Sequence, residues 1–304
     1  MGLQKEIWQD HIAGNLFKNN EFLLASTDAG QYVLQGKVVH IPQAGAVATV
    51  VKNRSAVPAT VVLRGDTDVT YSLDEFSTNP ILIPDAENHE LSYNKRESIL
   101  SEHELSLREA VANNLLVTWS PGTTTGLILR TSGVDVPSHL DGTTGNRKKL
   151  TVNDLKHAQL KMNKQNIPME GRYALLSADM FQQLTDDMTA TQYRDFSAAY
   201  DVQNGIVGRL FGFNIMMRGT VVSYTNAAMP EVRLEDAEPD ATDNDAVLCW
   251  HVTAVERALG QIKFFERVGD PTFYGDVYSA CVRMGGRKRR NDGKGIVAIV
   301  QQAA

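Results

Sequence analysis

The sequence predicts an α+β fold, and three observations carry that prediction. Residues 37 to 76 hold β-branched-rich runs separated by turn chemistry, residues 95 to 118 carry the longest helical pattern, and from residue 150 strand-like and helix-like segments follow one another. With 304 residues the chain can build about two domain-sized cores, or one extended body with appendages.

In chain order, residues 1 to 36 place Ile7, Trp8, Ile12, Leu16, Phe17, Phe22, Leu23 and Leu24 among polar neighbours. This reads as short helical pieces and an extended arm that cannot close a core alone. The runs KVVHIP, AVATVV, ATVVL and DVTYSLDEF then read as about four strands, some in hairpins, with turns at Pro42, Gly45, Pro58 and Gly65. Over Lys95 to Thr118, Leu100, Leu107, Val111 and Leu115 form one stripe, Arg96, Glu97, Glu102, Glu104, Arg108 and Glu109 cover the other faces, and Asn94 with Glu97 resembles a cap. At 1.5 Å per residue that helix is about 35 Å long, enough to cross a whole domain.

Residues 120 to 149 are rich in Gly, Ser, Thr and Pro and read as a loop-heavy boundary. Thr151 and Asp154 then form a capping pair ahead of Val152, Leu155, Ala158 and Met162 on one helix face. RYALL (Arg172 to Leu176) reads as a buried strand, Ser177 as a helix cap, and Met180, Phe181 and Leu184 as the inner stripe of the helix that follows. The acidic stretch between Val232 and Asp245 reads as an exposed loop; its spacing lacks the central Gly and terminal Glu of a calcium loop. VLCWHV, QIKFFERV and TFYGDVYSACVRM then return to strand character before RKRR and GIVAIV.

Composition narrows the function classes. A net charge of −6 argues against a surface that clamps nucleic acid throughout, while allowing a local basic patch. Cys249 and Cys281 have no paired spacing and read as buried free thiols of a reducing compartment, without a disulfide framework or zinc site. The start lacks a signal-peptide core, and no apolar run approaches the roughly 20 residues of a membrane span, so synthesis in the cytoplasm is expected. The Met1-Gly2 start matches a myristoylation site only partially.

Catalytic signatures are missing. His89-Glu90 and His103-Glu104 lack a second His four residues on, so two ligands on one helical face are not provided. GTTTG (Gly122 to Gly126) and GKG (Gly293 to Gly295) are turns without the frame of a phosphate loop, and no nucleophile elbow occurs. The remaining enzymatic reading is a hydrolase assembled from His103, His139, Asp141 or His157, which requires those side chains to converge in a pocket. RKRR (Arg287 to Arg290) is the one dense cationic feature, either a charged turn or a contact for phosphates or acidic neighbours.

The order of parts, together with GRYALLSADMFQQLTDD (Gly171 to Asp187), the Gly208 to Arg218 segment with its FGFNI core, and WHVTAVERALG (Trp250 to Gly260), resembles the major capsid proteins of tailed phages, with the Hong Kong 97-like fold. The resemblance covers nearly the whole chain and rests on ordering more than on any one motif. It implies an arm at 1–36, an E-loop-like extension at 37–76, a peripheral domain at 77–149 and 246–304 with its spine helix at 95–118, and an axial domain at 150–245. The function implied is structural and without cofactors. Subunits self-assemble as hexamers and pentamers into an icosahedral virion shell around double-stranded DNA, built in the bacterial cytoplasm without a membrane. A portal protein is the other implied partner; a separate scaffolding protein or none, and decoration proteins or none, both stay open.

Under that resemblance the subunit-interface candidates are Val38, Val50, Val51, Lys52, Arg54, Val62, Arg64, Asp66, Asp68 and Tyr71, because Val-rich hairpin edges are a liability unless a neighbour covers them. The charged contact candidates are Arg147, Lys148, Lys149, Arg287, Lys288, Arg289 and Arg290. An encapsulin-like compartment shell, a relative of the same fold, would carry a protein cargo instead, and a tail-tube or decoration protein would form rings or trimers.

Overall fold

A computed structural model describes residues 9, 12, 15–16, 20–34, 37–43, 52–55, 67–84, 95–123, 126–201, 203–234, 237, 240–290 and 292–304. After a 3-10 turn at Glu21–Leu24, the arm supplies two short strands, β1 (Thr27–Asp28) and β2 (Val33–Leu34). The extension contributes β3 (Val38–Gln43) and β4 (Thr67–Ser72), followed by β5 (Asp74–Ser77) and β6 (Ile81–Pro84). Helix α1 runs Lys95–Trp119, one residue beyond expectation, and buries Leu107, Val111, Leu115, Leu116 and Trp119. Asn94 lies outside the described residues, as do the AVATVV and ATVVL runs.

The stretch from 120 to 149 is more structured than its composition indicates. It holds β7 (Ile128–Arg130), β8 (Asp135–Pro137) and β9 (Asn146–Lys148), and β7 pairs in parallel with a strand near the C terminus. A partner about 170 residues away leaves no local periodicity to read. Helix α2 (Val152–Lys164) opens on the expected Thr151/Asp154 capping box and buries the expected face. Strand β10 (Arg172–Ser177) leads into α3 (Ala178–Asp187), with Ser177 accepting from the Met180 N–H as the cap, and Thr189 caps α4 (Ala190–Ser197) with a second box.

Strands β11 (Ile206–Leu210) and β12 (Phe213–Arg218) form a hairpin across a Phe211-Gly212 turn in which both residues have positive φ, so the FGFNI motif is a tight turn entering a strand. Then come β13 (Val222–Tyr224), β14 (Asn244–His251), β15 (Val255–Asp270), β16 (Gly275–Lys288) and β17 (Ile296–Val300). The segment Ala254 to Gly260 is a 3-10 exit followed by the start of β15, with a register shift between Leu259 and Ile262. The TFYGDVYSACVRM strand begins only at Gly275, and Phe273 and Tyr274 fall in the turn.

Two sheets dominate. A five-stranded sheet runs β1-β15-β16, with β5 and β6 both along the far edge of β16; a seven-stranded sheet runs β11-β12-β10-β14-β17-β7, with β13 beside β14. Residues 246–304 therefore do not pair as one block: β14 and β17 belong with β10 and β12, while β15 and β16 build the other sheet. Strand β14 shows why its sequence is so apolar, since Ala246, Leu248 and Trp250 enter one core while Val247 and Cys249 enter another beneath α2 and α3. The first core is shared by both sheets, joining Leu175, Leu248 and Trp250 to Phe264, Tyr278 and Val282 around Trp119. Trp119 itself packs edge-on to Phe22 and tilted against Trp250, and its Nε1–H donates to the Glu256 carbonyl.

Candidate assembly surfaces

The extension is a two-stranded ribbon, with β3 and β4 in antiparallel register from Val38↔Ser72 to Gln43↔Thr67 and β2 along its base. Its foot is fixed inside the subunit. Val39 is buried against Ala29, Leu73 and Ala258, and the Arg287 guanidinium sits 5.5 Å from the Tyr71 ring centroid. Burial, and then the Glu256 charge, push the Tyr71 phenol upward against the opposing effect of Arg287. Of the interface candidates, Tyr71 and half-buried Val38 thus belong to the anchored foot, whereas Lys52 and Arg54 are exposed on either side of Asn53, whose φ is 52°. Asp68 pairs with Pro42 in the ribbon, and Val50, Val51, Val62, Arg64 and Asp66 lie outside the described residues.

The basic run is engaged within the subunit. Arg287 donates from Nε to Glu256 at 2.5 Å and Arg289 lies 3.4 Å from the same buried carboxylate. Lys288 Nζ donates to the Ser120 carbonyl at 2.8 Å, and burial lowers its pKa. Arg290 forms a two-pronged pair with Asp292, which also faces Lys294; these bonds hold the Asp292 carboxyl at about 2. What RKRR offers to solvent is mainly the outer edge of Arg289 and Arg290.

Arg147, expected as a surface charge, is buried. It donates to the Thr144, Asn146, Ala241 and Asp243 carbonyls and so ties the β8–β9 hairpin to the start of β14. Lys148 faces Asp135 at 3.4 Å and Lys149 faces Asp187 at 3.6 Å. The acidic stretch corrects in the same way: Asp240 to Thr242 form an exposed turn, but Asp243, Asn244 and Asp245 are buried, because Asp243 pairs with Arg233 at 2.9 Å and the chain enters the central sheet there.

At its end, Ser177 and His139 both donate to Asp245 Oδ2, His139 from 2.9 Å. The carboxylate stands between Ser and His, so the imidazole does not meet the hydroxyl and the order differs from that of a nucleophile, imidazole and carboxylate triad. Burial works against the His139 imidazolium, but the Asp245 hydrogen bond and charge, with Asp179 adding, raise its pKa overall. His103 instead pairs with Thr78 Oγ1 at 2.9 Å beside a groove of about 580 Å³ between α1 and the β5–β6 edge. Asp141 and His157 are exposed, and among the described residues no hydrogen bond or ion pair joins any two of these four. No His/Cys/Asp/Glu cluster suited to a metal occurs among the described residues, and no helix there is long and apolar enough to cross a membrane.

The profile of a family described as "Phage capsid protein" matches residues 20–266. The chain belongs to the phage capsid protein family. Its fold is the Hong Kong 97-like fold, shared at low sequence identity with solved capsids. That of Ralstonia phage GP4 aligns with a TM-score of 0.67 at 12% identity, covering 92% of this chain and 87% of that one. That of cyanophage P-SCSP1u aligns with a TM-score of 0.62 at 17% identity, covering 92% and 86%. A virus-like particle from Pyrococcus furiosus aligns with a TM-score of 0.53 at 10% identity, covering 97% and 99%. No curated protein sequence matches significantly.

For a phage capsid protein, the surfaces that matter are those that meet other copies. The sequence reading placed candidates on the extension and basic run, and read as strand what the structure shows to be the turn between β15 and β16. There Phe273 and Tyr274 stand exposed. The available signal was an aromatic pair inside Pro-Thr-Phe-Tyr-Gly, a turn composition read as strand.

Proposed function

We propose that this capsid protein assembles as hexamers and pentamers into a closed icosahedral shell around double-stranded DNA in the virion. The observation that carries the reading is a fold match spanning 92% of the chain to phage capsids. In this reading the five-stranded sheet with α1 is the peripheral domain, the seven-stranded sheet with α2 to α4 is the axial domain lining the capsomer axis, and the β3–β4 ribbon reaches over a neighbour. Exposed Lys52 and Arg54, with the outer edges of Arg289 and Arg290, serve as charged contacts between subunits or with DNA phosphates. A portal protein joins one vertex, and assembly takes place in the bacterial cytoplasm.

A second reading is an encapsulin-like compartment shell with protein cargo, but the family match to phage capsid proteins favours the first. The test is expression of the chain alone, imaged by negative-stain electron microscopy at several salt concentrations. Curved closed shells or six- and five-fold capsomers are expected. Rings or trimers that never close, or a compact monomer under every condition, overturn the assembly reading, and protease-sensitive cargo in place of nuclease-sensitive cargo in native particles selects the compartment.

A further inference from the structure

The sequence holds one Asn-Gly pair, Asn204-Gly205, and the fold sets it in the turn that leads from Asp201 into β11. Asp201 and Ile206 exchange both backbone hydrogen bonds, at 2.8 and 2.9 Å, so the turn is closed at its base. The Asp201 carboxylate accepts from the Gln203 N–H at 3.2 Å and from the Asn204 amide Nδ2 at 2.8 Å, which holds that side chain against its own turn. Among the described residues no acceptor takes the Gly205 N–H. Asn204 is exposed, and Gly205, at φ 65°, has no side chain to shield its nitrogen. A second carboxylate stands close by, since a Cβ on Gly205 would lie 3.3 Å from Glu21 Oε2, and so the 3-10 turn of the arm rests on this loop.

We infer that Asn204 is a site of spontaneous covalent modification, at which its side-chain amide is exchanged for a carboxylate. The Gly205 nitrogen, losing its proton to hydroxide, bonds to Asn204 Cγ; the Cγ–Nδ2 bond breaks, and Nδ2 leaves as ammonia with a proton from water. Water then opens the five-membered imide at either carbonyl. The product is aspartate, or isoaspartate, in which the main chain runs through the former side chain. In sum one amide and one water become a carboxylate and an ammonium ion, and no electrons change hands. Asparagine is a thermolabile residue type, and the bare nitrogen of a following glycine singles out this one. The modified residue carries a new negative charge beside Asp201 and Glu21, and like charges this close repel. Asp201 also loses its Asn204 side-chain donor, the largest of the influences that hold its carboxyl below the usual range. The step therefore loosens the arm from the β11 loop, next to Phe22 and Leu23, which the arm buries in the shared core. It is irreversible and set by time and pH, so it dates a subunit, and it goes beyond the assembly reading without depending on it.

The test incubates the folded full chain at about pH 8.5 and follows its peptides by mass spectrometry, with isoaspartate scored by enzymatic methylation. A gain of one mass unit at residue 204, at least tenfold ahead of every other asparagine, is expected, and its rate should rise about tenfold per pH unit because hydroxide enters the step. Asn204→Gln, which would have to close a six-membered ring, should abolish the gain. Gly205→Ala should slow it at least tenfold, but alanine is strained at this φ, so the glutamine variant decides. Conversion at residue 204 no faster than at other asparagines, or a hundredfold slower in the folded chain than in urea, overturns the inference. Asn204→Asp tests the consequence separately: limited proteolysis should cut within residues 20–25 at least threefold faster than in wild type, and unchanged cleavage overturns the link to the arm. None of these readouts requires a shell, so their failure leaves the capsid reading intact, and failure of the chain to assemble leaves the modification standing.

Discussion

Gly286→Ala probes the junction where α1 meets the long hairpin. Gly286 lies opposite Arg257 in the sheet, and a Cβ there would stand 2.5 Å from the Glu256 carbonyl oxygen, 2.6 Å from Leu115 Cδ2 and 3.1 Å from Trp119 Nε1. The leucine methyl can turn aside, but the carbonyl belongs to the neighbouring strand and cannot. That carbonyl also accepts the Trp119 Nε1–H at 3.1 Å, so separating the strands stretches a buried hydrogen bond. Overpacking costs about 1–3 kcal/mol and a weakened hydrogen bond up to about 1 kcal/mol, against which alanine recovers about 0.5–1 kcal/mol of chain entropy. The net is about 2 kcal/mol of destabilisation, which for a chain of this size lowers the melting temperature by about 4 °C. Differential scanning fluorimetry at one fixed protein concentration reads the shift, because assembly makes melting concentration-dependent. Gly122→Ala and Gly219→Ala, where nothing lies within 4 Å of the added Cβ, should stay within about 0.5 kcal/mol of wild type. If Gly286→Ala melts with those controls, the close approach of α1 to the hairpin is not as described.

Other expectations concern charge. The raised pKa of His139 means that its pairing with Asp245 stabilises fully below the ordinary histidine value of about 6.5 and fades as pH rises through the higher folded value, so His139→Gln should lower the urea midpoint at pH 6 more than at pH 8.5. Burial depresses His103 more than Glu102 supports it, which has the opposite sign: stability is present above about 6.5 and falls as pH drops towards the folded value, and His103→Gln should reduce that acid-side loss in the same titration. Arg287→Ala leaves the buried Glu256 carboxylate with only the more distant Arg289 and should cost about 3 kcal/mol in urea unfolding, whereas Arg290→Ala, which breaks an exposed pair, should cost under about 1 kcal/mol. Arg147→Ala removes the side-chain donor from four carbonyls, of which those of Asn146 and Ala241 keep a backbone N–H, and limited proteolysis should then cut near Thr144 or Ala241 well before other sites.

What the sequence disclosed was what short-range chemistry writes into it. The Leu107, Val111 and Leu115 part of the α1 stripe, the Thr151/Asp154 box and the Ser177 cap each depend on residues three or four apart, and all three stand as expected. Sheet membership depends on partners far along the chain, so the pairing of Ile128 with Ala298 and the split of 246–304 between two sheets left no local trace. The surfaces were harder still. RKRR shows its charge in sequence but not its debt to Glu256, Ser120 and Asp292, and Arg147 looks like any basic residue beside two lysines until its four carbonyl partners are seen. Exposure of an aromatic pair depends on where a hairpin turns, and that was set by Asp270 and Gly275, whose roles emerge only with the neighbouring strand in place.

The core around Trp119 has a mechanical meaning. Side chains from both large sheets and from α1 interlock in it, and β14 passes into β15 through only Val252, Thr253 and Ala254. A close-packed interior of this kind resists shear, because sliding one sheet over the other would open voids along its length. The body of the subunit therefore transmits force like a brick. When the same chain must fit both a flat facet and a sharply curved vertex, the difference in angle falls to the mortar between bricks.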